Sequence, residues 1–154
     1  MILTPQKYFL VAGNADDIAP LSAFDKALLA SGIGNTNLIK VSSILPPGAA
    51  KIEIPIIPPG SILPVAYASI TSNIPDELIA AAVAVAIPQD NSLPGVIMEY
   101  STRGHSEDAD RVVRMVAERA MKNRGCAIAC MDSLCIQHRV EKMGAAFAAV
   151  ALWW

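Results

Sequence analysis

Six of the eleven prolines in this 154-residue chain fall between positions 46 and 64: Pro46, Pro47, Pro55, Pro58, Pro59 and Pro64. Proline fixes φ and has no backbone N–H to donate, so this stretch can be neither a helix nor an inner strand. It must be an extended connection. Any compact fold has to be assembled from the segments on either side of it.

Upstream, Tyr8–Val11 reads as a short strand stopped by Gly13-Asn14. Pro20-Leu21-Ser22 opens a helix whose Phe24, Ala27 and Leu28 share one face. It closes at Ser31-Gly32, where glycine accepts a left-handed cap. Leu38–Ser43 is a strand broken at Pro46-Pro47-Gly48. Downstream, Ser61–Ser72 and Val96–Thr102 are strands. Leu78–Ile87 is rich in Ala and Val, and the alternation of Val83, Val85 and Ile87 with alanines favours strand over helix. Ser106–Arg124 is the clearest helix, with Ser106 as its cap and Glu107, Asp108 and Asp110 in the first turn. Its apolar stripe is Val112, Val113, Val116 and Ala120. Glu107–Arg111, Asp110–Arg114 and Glu118–Lys122 are acid-first pairs, and Gly125 is its stop. Ala127–Val140 is a strand, while Gly144–Trp154 fits either element. Two helices among many strands make this an α+β chain, and its length suits one domain spanning 1–154.

Hydrophobic residues make up 53% and charged residues 17%, against an ordinary charged share of about 25%. That excludes a disordered chain and a nucleic-acid binder built on a basic surface. So few charges imply that part of the surface is buried against other copies. Residues 52–102 contain Glu53, Asp76, Glu77, Asp90 and Glu99 but no Lys or Arg. Such a stretch holds phosphate poorly and tolerates a cationic ligand. The longest uncharged apolar runs, Leu78–Ile87 and Gly144–Trp154, fall short of the roughly 20 residues of a spanning helix. No cleavable signal is expected at the N-terminus, and Cys126, Cys130 and Cys135 are odd in number. Together these point to free thiols, a cytoplasmic location and no membrane partner.

The spacing of His105, His138 and the cysteines matches no zinc site, so no metal is expected. Gly32-x-Gly34 lacks the third glycine and the following helix of a dinucleotide loop, and no Gly-x-Ser-x-Gly occurs. That leaves Ser42-Ser43, at a strand end just before Ile44-Leu45-Pro46-Pro47. A Ser-Ser pair by itself is usually a turn. A serine hydroxyl can, however, attack the carbonyl of the residue before it where the backbone is held bent, and the prolines downstream stiffen these surroundings. Asn37, near in sequence, offers an amide to the oxyanion that would form.

The run Gly34-Asn35-Thr36-Asn37-Leu38-Ile39-Lys40-Val41-Ser42-Ser43-Ile44-Leu45-Pro46-Pro47 closely resembles the processing segment of the pyruvoyl-dependent arginine decarboxylases. The likeness extends to Leu21–Leu29, Val85–Pro88, Gly95–Tyr100 and Val140–Ala148, nearly the whole chain. What it implies is a self-processing zymogen. Ser43 Oγ attacks the Ser42 carbonyl, elimination of the resulting ester frees Ser42 as a carboxylate and leaves dehydroalanine at 43, and this tautomerises to an imine that water hydrolyses, releasing ammonia and leaving a pyruvoyl group. The products are a β chain of residues 1–42 and an α chain beginning at 43, with Asn37 assisting. The pyruvoyl, the covalent cofactor, takes the substrate amine as an imine, and arginine leaves as agmatine and CO2, a step toward polyamine biosynthesis. Glu99 matches the family's proton-donating acid, Asp25 its substrate-binding aspartate, and Leu28, Gly34 and Thr36 other pocket positions. The resemblance further implies a four-layer αββα sandwich and a homotrimer with sites between neighbours. The residues alone leave two alternatives: a pyruvoyl decarboxylase of histidine or lysine, or an unprocessed, non-catalytic trimer that binds a cationic metabolite.

Overall fold

The computed structural model describes residues 3–154. In chain order the elements are β1 (Lys7–Asp16), α1 (Pro20–Ser31), β2 (Asn37–Lys40), β3 (Ile44–Leu45), β4 (Ala50–Lys51), β5 (Ile62–Ser72), β6 (Leu78–Pro88), β7 (Gly95–Arg103), α2 (Ser106–Asn123), β8 (Ile128–Arg139) and β9 (Gly144–Trp153). They form one five-stranded sheet ordered β2-β5-β9-β1-β4 and one four-stranded sheet ordered β3-β7-β6-β8. Two helices and two sheets make an α+β fold.

The Ala-rich run read as strand, β6, and the run that fits either element, β9, are both inner strands. A strand covered on both faces loses the polar alternation that normally marks strands. In β9, Ala145, Phe147, Ala149 and Ala151 face α1, while Ala146, Ala148, Val150 and Leu152 face the other sheet. In β6, Ala80, Ala82, Ala84 and Ala86 face α2, while Ile79, Ala81, Val83 and Val85 face the first sheet. Small side chains on the helix-facing side let each helix lie close to its sheet.

Helix α1 begins with Pro20 at its first turn and a reciprocal bond between Ser22 and Ala19. It ends on Gly32 at φ +91°, with the glycine N–H donating to the Leu29 carbonyl at 3.1 Å. Gly13 of β1 touches this helix so closely that a Cβ would lie 2.1 Å from the Ala27 carbonyl oxygen. Only glycine lets β1 and α1 meet there.

Helix α2 departs from its sequence pattern. His105, not Ser106, occupies the cap position, and Ser106 instead directs its N–H and hydroxyl to Gln137 Oε1 of β8. Arg111 pairs with Asp108 at 3.0 Å in place of Glu107, and Arg114 donates to Ser133 at 2.8 Å in place of Asp110. In both cases a nearer or tertiary partner wins over an exposed i,i+4 pair, whose attraction is weak.

The proline-rich connection contributes only β4 and is otherwise irregular until β5. Pro64 lies in β5 just ahead of Val65, where pairing with β9 starts. At the tail, Leu152 is in the core, Trp153 is half-buried and Trp154 is 44% exposed. The strand foreseen over Leu38–Ser43 is cut short at Lys40, because the chain leaves the first sheet there for the second.

Asp16, the last residue of β1, ties that strand to the chain around the turn after β8. Its Oδ1 accepts the N–H groups of Glu141 at 3.1 Å and Lys142 at 2.9 Å, and its Oδ2 meets His138 Nε2. Burial by itself would raise its pKa. The Lys142 N–H, the His138 ring and the Glu141 N–H outweigh that and hold it below the ordinary 3.8. A carboxyl with a depressed folded pKa adds stability above its unfolded pKa and loses it as pH falls through the folded value. In urea denaturation, the advantage of the parent chain over Asp16→Asn is therefore expected to be full above about pH 4 and to shrink as pH falls further. A gap that stays constant down to about pH 2 would contradict this.

Candidate active site

Residues 41–43 carry the chain from the edge of one sheet to the edge of the other. On the first side, the Val41 N–H donates to the Val65 carbonyl of β5 at 2.9 Å. On the second, the Ser43 carbonyl accepts the Ile97 N–H of β7 at 2.7 Å, continuing the Ile44–Val96 register of β3. Packed sheets lie about 10 Å apart, and three extended residues reach about 10 Å. The crossing has little slack. Ser42 is exposed within it and Ser43 is half-buried.

Strand β7 then places Glu99 on the side of Ile97 that faces the first sheet, since side chains two apart share a face. Glu99 Oε1 lies 3.1 Å from Lys40 Nζ of β2. Glu99 Oε2 is buried and has no hydrogen-bond partner among the described residues. Lys40 Nζ sits 4.5 Å from the centre of the Tyr67 ring, a cation–π distance. These groups line an open cleft of about 320 Å³ together with Ala68, Ser69, Tyr100 and Ser101. Lys40 and Tyr67 are not singled out by sequence motif. The only signal for Lys40 is a lone charge two residues before Ser42 in an otherwise apolar strand.

Asp25 occupies a different place. It is exposed on α1 and lines a shallow, mostly apolar groove of about 650 Å³ with Ile18, Leu21, Phe24 and Leu28. Leu28 is buried beneath it. The groove and the Glu99 cleft lie on either side of a contact between Phe24 and Tyr67, whose ring centres are 6.2 Å apart. Gly34 and Thr36 follow α1. A Cβ on Gly34 would lie 2.6 Å from the Leu29 backbone nitrogen, and the Thr36 hydroxyl donates to the Ile33 carbonyl at 2.7 Å.

Asn37 stands at the start of β2. Its side-chain amide donates to the Gly60 carbonyl and its N–H to the Ser61 carbonyl, both at 2.8 Å. Ser42 lies five positions further along the chain, at most about 16 Å away. Within one chain, then, the structure groups Ser42, Ser43 and Glu99 along one sheet edge. It leaves Asp25, Leu28, Gly34, Thr36 and Asn37 around α1 and the turn beyond it.

The chain is also similar to known proteins along most of its length. The model of the pyruvoyl-dependent arginine decarboxylase family matches residues 7–153. The pyruvoyl-dependent arginine decarboxylase of Methanocaldococcus jannaschii is 47% identical over 97% of this chain and 91% of its own length. That of Methanococcus aeolicus is 49% identical over 97% and 91%. That of Pyrococcus horikoshii is 39% identical over 98% and 97%. With the match running from β1 to β9 and relatives this similar end to end, the chain belongs to the pyruvoyl-dependent arginine decarboxylase family.

Proposed function

We propose that the chain cuts itself between Ser42 and Ser43 and decarboxylates L-arginine to agmatine and CO2, using a pyruvoyl group formed from Ser43. Residues 1–42 become the β chain and 43–154 the α chain of a single decarboxylase domain, a four-layer αββα sandwich. The layering is supported by three apolar clusters: one between the sheets, one beneath α1 and one beneath α2. The observation that carries the functional reading is a Ser43 carbonyl held by Ile97 on the strand that also bears Glu99, whose Oε2 is buried yet unbonded among the described residues. Such an oxygen is costly to leave bare in a protein with no use for it.

These residues fit a pyruvoyl at position 43. The group supplies the electron sink that loss of CO2 requires. The protein supplies the rest. The Ile97 N–H holds the Ser43 carbonyl and so fixes the new chain start. Glu99 lies two residues further along the same strand, about 7 Å, on the face turned toward the other sheet. It returns a proton from Oε2 to the substrate α-carbon. Asp25 receives the guanidinium in a planar, paired contact, and Leu28 and Phe24 give the methylenes an apolar wall. Gly34 and Thr36 contribute backbone around that pocket. Asn37 assists the cleavage by anchoring the start of β2 on Gly60, which sets where the chain leaves the sheet.

Asp25 and Glu99 open into separate clefts, so a neighbouring copy completes the site in a homotrimer. Ile18 and Leu21, 91% and 78% exposed beside Asp25, are the apolar side chains such a neighbour would cover. No helix among the described residues is long and apolar enough to cross a membrane. The unpaired Cys126, Cys130 and Cys135 suit a reducing cytoplasm. The base-poor centre suits a cationic substrate and not nucleic acid.

On a denaturing gel the purified chain is expected to resolve into pieces of roughly 4 and 12 kDa, in proportion to their lengths. Ser43→Ala is expected to stay whole. A parent chain that persists as one band with no carbonyl at a new N-terminus leaves the non-catalytic binder standing. Labelled CO2 released from arginine, and not from histidine or lysine, decides the substrate. Glu99→Gln is expected to cleave normally and decarboxylate at least about 100-fold more slowly; normal turnover would remove Glu99 from the proton step. Asp25→Asn is expected to raise KM for arginine by about tenfold or more, with a smaller effect on kcat. An unchanged KM would move guanidinium recognition elsewhere.

A further inference from the structure

The ion pair beside the crossing has a feature that surface ion pairs lack. Lys40 is held at two points, by Glu99 Oε1 at 3.1 Å and by the Tyr67 ring at 4.5 Å. Confining a long side chain that is 53% exposed costs conformational entropy, and an isolated exposed pair returns little stability for it. The result of the confinement is asymmetry in the carboxyl group. One oxygen is occupied by an ammonium, which can only donate; the other is buried with nothing bonded to it. When Glu99 carries a proton, that proton has to sit on Oε2, because on Oε1 it would face the N–H groups of Lys40.

We infer that Lys40 is a positioning residue for the decarboxylation: it grips Glu99 by Oε1 and thereby fixes which oxygen, and which direction, delivers the proton. This rests on the proposed reading of Glu99 as the proton donor. The titratable groups around the cleft are few. Lys40 comes from β2, Tyr67 from β5, and Tyr100 from β7 itself, while β6 sets only Val83 opposite Glu99. Among the described residues, no second cation lines the cleft to replace Lys40. Its place in the chain adds to the argument. Lys40 precedes the Ser42–Ser43 bond by two residues and Glu99 lies far beyond it, so the pair would join the two product chains beside the reactive position.

The test compares the parent, Lys40→Met and Lys40→Arg. Methionine keeps the length and removes the donor; arginine keeps a donor. In Lys40→Met, kcat is expected to fall about tenfold with KM within about twofold of the parent. Turnover in D2O is expected to place deuterium on one face of the product α-carbon in the parent and on both faces in Lys40→Met, with Lys40→Arg recovering the single face. Deuterium that stays on one face in Lys40→Met overturns the proposal, whatever the rate. Should Lys40→Met remain uncleaved, crystal structures of Ser43→Ala and of Ser43→Ala carrying Lys40→Met decide it. Glu99 is expected to leave the cleft in the double variant, and an unchanged Glu99 conformer overturns the proposal. A parent chain that neither cleaves nor releases CO2 defeats the decarboxylase reading itself, and the same pair of crystal structures still tests the grip of Lys40 on Glu99.

Discussion

Two backbone hydrogen bonds organise the functional edge of this molecule: Val41 N–H to Val65 on one sheet, and Ile97 N–H to the Ser43 carbonyl on the other. Between them the chain crosses the full gap between the sheets in three residues. A loop of ordinary length would have let the two serines drift. Here both ends are written into β-ladders, so the position of Ser43 follows from the same pairing that builds the sheets. The prolines that follow matter less for stiffness than the sequence suggests, because β3 ends at Leu45 and the ladder has already fixed the serine.

The second dependence is on alanine. The helix-facing sides of β6 and β9 are alanine apart from Phe147, and the bulk in the core comes from larger side chains such as Phe9, Phe147, Leu63, Ile79 and Ile97. With so little side-chain volume under each helix, close approach of backbones becomes possible, and Gly13 against Ala27 is its extreme point. Larger residues on those faces would push the helices away. Helix α1 carries Asp25, so the groove it lines owes its position to small residues of a strand that does not line it.

Legibility in the sequence tracked how local the cause was. The limits of α1 could be read because proline and glycine act within a turn of where they stand. The inner strands were harder, since burial on both faces erases alternation, and β9 stayed open between helix and strand. In α2, Gln137 and Ser133 of β8 compete for Ser106 and Arg114, and Asp108 competes with Glu107 for Arg111. At the site, Ser42-Ser43 stood out as a pair ahead of the prolines, but the role given to it, and Glu99 altogether, came from a resemblance to known sequences, not from spacing. Nothing local shows that Glu99 meets Lys40 across two sheets, or that Asn37 bonds Gly60 some twenty residues on. Those pairings exist only once β2 lies beside β5.

The proposed cut raises a physical question: what keeps a 42-residue piece in place once its covalent link is gone? Its strand β1 is not at the edge of the sheet. It lies between β9 and β4, paired with β9 through ten consecutive register positions. Tyr8, Phe9 and Val11 are buried from that strand, and Ala23, Ala27 and Leu28 are buried from α1. The hydrophobic contribution of those side chains depends on area covered, not on chain continuity. The bond between 42 and 43 lies at the opposite edge, where Ser42 is exposed and packs little. A break there removes the covalent tether between two strands already anchored and leaves every core contact intact. Only the exposed crossing gains freedom, which is where a new chain start has to be reachable by substrate.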